Sequence, residues 1–419
     1  MRFPRRYYMV GGSFFLALLV YIDRACIQVA KDSITFDLGI SEKQFGWALS
    51  IFALGYALFQ TPSGILADRF GPRKILTAVV SIWSLFTALT GAAFNYIYLL
   101  IVRFLFGMGE AGAFPGMARS VYSWIPIKER GIVNGIYFSG GRIGVALFMP
   151  ISAWVFNSLG WRLSFLLLGC IGFVTALLWY LLFRDDPLKH PNISDVEKEY
   201  IKNNRQAKEQ DEGKSIKLSF SKIISSKNMW LAMGQYFSSN FTFFFCLTWL
   251  YPFLKDTYNL GSIEAGYYTS IPFIAGTLGN LTSGWLVDFI YKRTNLRLSR
   301  IVPAIIGFAL ASVGLIASLY MSTAIGAVIL LSLAIFGADM TLSPSWSLCV
   351  DIGRSNTGAV SGTMNMAGNI GSFVTALAFP YLKAWFGTTT PFFYLGAALN
   401  IIAIILWLQL KPEKPIEDY

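Results

Sequence analysis

The sequence predicts an all-α membrane protein: twelve transmembrane helices in two pseudo-symmetric six-helix bundles. Three observations lead there. Of the 419 residues, 55% are hydrophobic and only 14% are charged, which excludes an ordinary soluble globular domain. Apolar runs of about 20 residues, the length that crosses a bilayer, recur along the whole chain. A charged loop pattern that follows the second run returns after the eighth.

The runs start near positions 8, 44, 74, 96, 132 and 162, and again near 229, 265, 301, 324, 357 and 390. The first is too long for a signal-peptide core and lacks an obvious cleavage site, so it reads as a retained helix. Connections are short except for Asp185 to Lys227, which is polar and Lys-rich. Within it "SDVEKEYI" offers a capping box from Ser194 to Glu197 and hence a short surface helix. The expected organisation is an N-terminal bundle over 1–184, a cytoplasmic linker over 185–227 and a C-terminal bundle over 228–419.

Net charge is +11, from 34 basic and 23 acidic residues. Lys and Arg gather at the N-terminus, near Arg69, Arg73 and Lys74, near Lys128 and Arg130, through the linker, and from Lys292 to Arg300, and these segments alternate with charge-poor connections. That is the positive-inside pattern; it places both termini and the linker in the cytoplasm and assigns the charge to topology rather than to nucleic-acid binding. Cys26, Cys170, Cys246 and Cys349 lie in apolar runs without metal-like spacing, and His190 is the only histidine, so no metal site is expected.

The repeat is specific. "GILADRFGPRK" (Gly64 to Lys74) and "GWLVDFIYKR" (Gly284 to Arg293) share Gly, Leu, Asp and a basic residue in register. Physically this is a tight turn whose acid, Asp68 or Asp288, either caps a helix start or pairs with an arginine across the halves, latching one conformation. Gly64, Asp68, Arg69, Gly71, Arg73 and Lys74 match in full the loop motif of the major facilitator superfamily, and the copy at Asp288 and Arg293 matches in part. The chain resembles that superfamily along its whole length. The resemblance implies two six-helix bundles around a central cavity that opens alternately to either side.

Charges inside the apolar runs narrow the function. An ionised side chain at mid-bilayer costs roughly 2.5–3.5 kcal/mol on insertion scales, so it persists where it faces a cavity or a partner. The N-terminal half holds Asp23 and Arg24, Arg103 and Glu110, and Arg142; the C-terminal half holds Asp339. Arg103 and Glu110 are two helical turns apart and fall on nearly one face. Counting along the spans puts Asp23 and Arg103 about 10 Å from the outer surface, with Glu110 and Arg142 deeper. Three arginines against two acids leave one positive charge in excess, which an anion would complete. Protonation of an acid would strengthen that attraction, coupling anion and proton. The opposing reading is a neutral clamp that only joins two helices.

Tyr21, Asp23 and Arg24, taken with the pattern from Arg103 through Glu110 to Pro115, are similar to the anion:cation symporter family. That resemblance implies Arg24 as an anion-binding residue, Asp23 and Glu110 as proton-coupling acids, and Arg103 as the partner that adjusts them. It also points to Tyr56 as a cavity residue, and to Ser343, Ser345, Trp346, Asn365 and Asn369 as partners for substrate hydroxyls, positions where helix packing serves equally well. One departure stands out. Sugar-acid carriers of the family often carry Gln-Tyr in the fifth span, where this chain has Gly140, Gly141 and Arg142. Arg142 would add a cation to the substrate site, and Asp339 is a second proton site, a hydroxyl binder or a structural partner.

The expectation is a monomeric importer of a small organic anion, a sugar acid or other carboxylate, driven by protons and needing no further cofactor, among the lipids of a bacterial cytoplasmic membrane. Its rivals are a drug-type proton antiporter, whose fifth-span Gly-Pro pattern "SGGRIGVALFMPISAW" does not reproduce, and a non-transporting sensor. No nucleotide loop, metal cluster or nucleophile with a histidine partner argues for an enzyme.

Overall fold

The computed structural model describes residues 4–204 and 219–416; the linker stretch 205–218 lies outside them. The described chain is helical, with α1 Arg5–Val29, α2 Lys31–Leu38, α3 Glu42–Phe70, α4 Pro72–Gly91, α5 Tyr96–Glu110, α6 Ala113–Trp124, α7 Arg130–Leu182 and α8 Asp195–Asn203. There follow α9 Phe220–Ser225, α10 Lys227–Thr248, α11 Leu250–Tyr258, α12 Ser262–Arg293, α13 Leu296–Ser318, α14 Ala324–Met340, α15 Leu342–Gly353, α16 Thr357–Phe386 and α17 Thr390–Gln409. Among the described residues, seven helical stretches are long and apolar enough to cross a membrane, from Trp47–Phe70 to Thr390–Gln409. The protein is a multi-pass integral membrane protein.

Local chemistry explains the boundaries. Ser41 and Gln44 cap α3 reciprocally, Ser41 Oγ accepting from the Gln44 amide and Gln44 Oε1 from the Ser41 amide. Asn95 and Asn295 cap α5 and α13 with their side-chain oxygens. α7 is 53 residues long and breaks at Gly160, whose φ of 73° and ψ of 162° suit glycine alone. The break separates the apolar runs expected from positions 132 and 162.

At α8 the predicted capping box forms only by half. Ser194 Oγ accepts from the Glu197 amide at 3.3 Å. The Glu197 carboxylate, instead of turning back to Ser194, accepts from the backbone amides of Arg5 and Arg6 at 2.8 and 3.0 Å. Those amides open α1 and have no partner within their own helix, so a carboxylate there is better placed than on Ser194.

The helices pack as two compact units. One comprises Met1–Ile127, Ile143–Lys217 and Gly353–Thr363; the other comprises Lys128–Arg142, Leu218–Ile352 and Met364–Tyr419. In the first, α3 and α5 meet backbone to backbone: a Cβ on Gly55 would strike the Phe104 carbonyl, and one on Gly107 would strike the Phe52 carbonyl. Small residues allow this approach, which in lipid substitutes for hydrophobic driving force. In the second, Phe241, Phe245, Phe253, Phe379, Phe392 and Phe393 form an aromatic core with several centroid distances near 5 Å.

Candidate functional site

In the first unit the predicted charges come together. Arg24 on α1 donates Nε–H to both oxygens of Glu110 on α5, at 3.0 and 3.2 Å. Glu110 is wholly buried. The Arg24 guanidinium lies over the Tyr56 ring at 4.4 Å and over Tyr21 and Phe52 at 5.4 Å, so three ring faces stabilise its charge. Its Nη2 is buried without a hydrogen-bond partner among the described residues. The α3–α5 contact at Gly55 and Gly107 is what brings Phe52 and Tyr56 close enough for this stacking.

Arg103, one face along α5, is 3% exposed and lies over Phe52 and Phe106 at 4.9 and 4.8 Å. Its buried Nε also has no hydrogen-bond partner among the described residues. Asp23, 5% exposed, interacts electrostatically with Arg103 and Glu110. Two arginines and two acids therefore share one buried neighbourhood, formally balanced but with unsatisfied guanidinium donors. A buried N–H without an acceptor costs about 1–3 kcal/mol. An anion supplying that acceptor recovers the cost.

The second unit corrects the charge count drawn from sequence. Arg142 is not an uncompensated cation: its Nε and Nη2 donate to Oδ2 and Oδ1 of Asp339 at 3.0 and 2.8 Å. The pair is 4% and 1% exposed, and Arg142 stacks on Phe243 at 3.7 Å. A Cβ on Gly276 would strike the Asp339 carboxylate, so that glycine makes room for the acid. The two residues are far apart in sequence, which is why a count along the N-terminal half left Arg142 in excess.

Several predicted hydroxyl partners hold protein groups instead. Ser343 Oγ donates to the Gly131 carbonyl at 2.7 Å, and Ser345 Oγ to the Thr341 carbonyl at 2.6 Å and to Gln235 Oε1 at 3.1 Å. Trp346 Nε1 donates to the Tyr236 hydroxyl at 2.9 Å and its ring lies 5.1 Å from Phe138. Asn369 Nδ2 donates to the Asn365 carbonyl one turn earlier.

The repeated loop motif resolves into one device built twice. Asp68 accepts from the amides of Gly358 and Ala359 at 2.8 and 2.7 Å, in the first turn of α16. Asp288 accepts from Gly131 and Ile132 at 2.9 and 2.8 Å, in the first turn of α7. In each case the glycine four residues earlier, Gly64 or Gly284, lies against the backbone of the same turn, at Gly358 or Gly131. Of the two roles open to these acids, the helix-start cap is therefore made by both. Asp68 also lies 3.5 Å from Arg119. Arg73 serves elsewhere, its Nε–H on the Tyr180 carbonyl, while Arg69 and Arg293 lie over Phe70 and Phe289 of their own helices.

One buried ionic centre was missed. Asp351 accepts from Arg130 at 3.1 Å and from Arg300 at 2.8 Å, all three at most 1% exposed. Its signal was an acid that directly follows the eleven-residue uncharged stretch from Met340 to Val350.

The Major Facilitator Superfamily profile matches residues 13–376. The chain belongs to that superfamily. It is a transporter and not an enzyme. It is 33% identical over 405 residues to the protein named "Probable sulfoacetate transporter SauU" of Cupriavidus necator, covering 96% of this chain and 93% of that one. To "Probable galactarate/D-glucarate transporter GarP" of Escherichia coli it is 33% identical over 394 residues, 90% of this chain and 88% of that one. The structure of the proton:xylose symporter XylE superposes with a TM-score of 0.78 over 99% of this chain and 98% of that one, at 15% identity, which shows a shared fold. The kinship with carriers named for organic acids bears out the resemblance to the anion:cation symporter family.

Proposed function

We propose that this transporter imports a small organic anion together with protons across a bacterial cytoplasmic membrane. It would do so by alternating access, as a monomer of twelve spans in two six-helix bundles with both termini inside. The observation that carries the reading is Arg24: a part-buried guanidinium held by Glu110, framed by three aromatic rings, with a buried Nη2 that has no hydrogen-bond partner among the described residues. Relatives named for sulfoacetate, galactarate and D-glucarate support an anionic substrate.

The chemistry follows from competition for one cation. Glu110 and a substrate carboxylate both seek the Arg24 guanidinium. When Glu110 takes a proton its hold weakens, and the substrate anion replaces it; when the substrate leaves, Glu110 releases the proton and closes on Arg24 again. Anion and proton then strengthen each other's binding by one reciprocal factor. Asp23 and Arg103 adjust the balance through their charges, and Tyr56 holds the guanidinium in the plane the substrate meets. No cofactor beyond the coupling proton is needed.

In the second unit, Asn365 and Asn369 are assigned to substrate hydroxyls, whereas Ser343, Ser345 and Trp346 suit helix packing better. Arg142 and Asp339 form a second proton-linked pair by the same competition. Such a pair favours an anionic solute over a neutral hydroxylated one.

A thermal-shift screen of purified protein tests the substrate class. Two-carboxylate sugar acids and sulfonated carboxylates should raise the melting temperature, and Arg24→Ala should abolish the shift. A neutral sugar giving the largest shift would contradict the reading.

A further inference from the structure

A cavity of about 400 Å³ lies within the first unit where the start of α1, the end of α7 and the segment from Arg184 to Asn192 converge. Its walls are apolar and aromatic, including Leu16, Trp124, Trp179 and Phe183. Tyr8, Phe15, Leu178, Leu181 and Leu182 line it as well and are 44–69% exposed, so the apolar wall runs without interruption onto the surface of membrane-embedded helices. The polar end carries Arg5, Arg184 and His190.

The ionisable side chains that line that end are all basic. Arg5 gives Nε–H to the Asn192 carbonyl and lies over Tyr8 at 4.9 Å, which fixes its guanidinium at the mouth. Arg184 gives Nη1 to the carbonyls that end α7, at Leu181 and Phe183. The nearby acids are not in the cavity wall and direct their carboxylates at other groups: Glu197 at the Arg5 and Arg6 amides and the Arg6 side chain, Asp185 at the Arg73 amide, Asp186 at the Leu188 amide. The imidazole of His190 is held below its usual range, first by burial and then by the charges of Arg5 and Arg184, so both arginines act on it.

We propose that this cavity is a binding site for one anionic phospholipid, its phosphate between Arg5 and Arg184 and an acyl chain in the aromatic slot. A phospholipid, rather than a soluble anion, fits because the cations stand at one end of an apolar slot that is open to the membrane along its length. The positive-inside pattern puts this end at the leaflet where anionic headgroups attract basic residues. The slot belongs to neither the Arg24 nor the Arg142 pair, so the site stands whether or not the transport reading does. A bound lipid here ties the first helix of the unit to the segment after α7.

The test is lipid competition on the purified, delipidated full chain, read by native mass spectrometry. Phosphatidylglycerol should be retained over phosphatidylcholine by about thirtyfold, as two basic side chains at a headgroup imply. Arg5→Gln with Arg184→Gln should bring the ratio near one, whereas Arg5→Lys with Arg184→Lys should keep it, which separates charge loss from misfolding. Leu178→Trp, at an exposed wall position, should lower retention of both lipids without changing their ratio. Equal retention by the unaltered protein, an unchanged ratio in the Gln pair, a lost ratio in the Lys pair, or displacement of phosphatidylglycerol by inorganic phosphate would each overturn the proposal.

Discussion

Arg24 Nε is shared between both carboxylate oxygens of Glu110, at 3.0 and 3.2 Å, while the buried Nη2 of the same arginine has no hydrogen-bond partner among the described residues. The pair is closed but not saturated, and a substrate anion can enter it without first breaking every bond. Lysine at this position keeps the charge but loses the planar stack on Tyr56 and the forked donors. Arg24→Lys should therefore weaken substrate binding about tenfold or more while the protein still folds; calorimetric titration reads this directly.

The paired caps predict matched defects. Asp68→Ala and Asp288→Ala each leave two first-turn amides without an acceptor, and each should destabilise the protein by about 1–2 kcal/mol. Asn keeps one acceptor and should recover part of that loss. Thermal unfolding in detergent compares the four variants, and a defect at only one of the two acids would show that the repeats do different work.

For Arg142 and Asp339 the prediction separates stability from function. Asp339→Asn leaves a buried guanidinium without its countercharge and should cost about 3–5 kcal/mol, whereas Arg142→Met with Asp339→Leu, which removes both charges, should recover most of it. If the pair is proton-linked, the double variant folds yet transports poorly. Normal transport by it would reduce the pair to a structural one.

Acidification gives a fourth test. Because folding holds the His190 imidazole below its usual range, the unfolded chain takes up a proton first as pH falls through about 6.5. Above that pH both states are neutral and His190 adds nothing; below it the folded state loses stability until its own histidine protonates. Burial sets this first, with the charges of Arg5 and Arg184 acting the same way, against a hydrogen bond to the Leu182 backbone and the charge of Glu197. His190→Gln should flatten the fall in melting temperature between pH 7 and 5.

Close packing at α3 and α5 is a further point of vulnerability. Gly107→Val would force the helices apart at the Phe52 carbonyl and cost about 1–3 kcal/mol. It would also move Tyr56 off Arg24, so binding should fall more than stability does.

Much of the site was legible because an ionised group inside an apolar run demands a reason: Asp23, Arg24, Arg103, Glu110, Arg142 and Asp339 were all visible that way. Their pairing was not. Arg24 and Glu110 are 86 residues apart and Arg142 and Asp339 are 197 apart, and a single sequence carries no contact information across such distances. Asp351 with Arg130 and Arg300 escaped because charges near the ends of apolar runs resemble ordinary loop charges. The repeated Gly-x-x-x-Asp was readable as a turn, yet its targets, the starts of α16 and α7, depend on chain crossings that periodicity does not encode. Ser343 and Ser345 show the converse limit: a hydroxyl in a helix looks the same in sequence whether it faces a solute or a carbonyl.

The central claim is that one proton and one anion share the Arg24–Glu110 pair. Proteoliposomes loaded with a pH-sensitive dye, given the best ligand from the thermal-shift screen, test it most directly. The account predicts that substrate entry acidifies the lumen of vesicles holding the unaltered protein, and that Glu110→Gln still exchanges substrate but moves no protons and accumulates nothing uphill. Substrate-driven acidification and uphill uptake that persist in Glu110→Gln would contradict it.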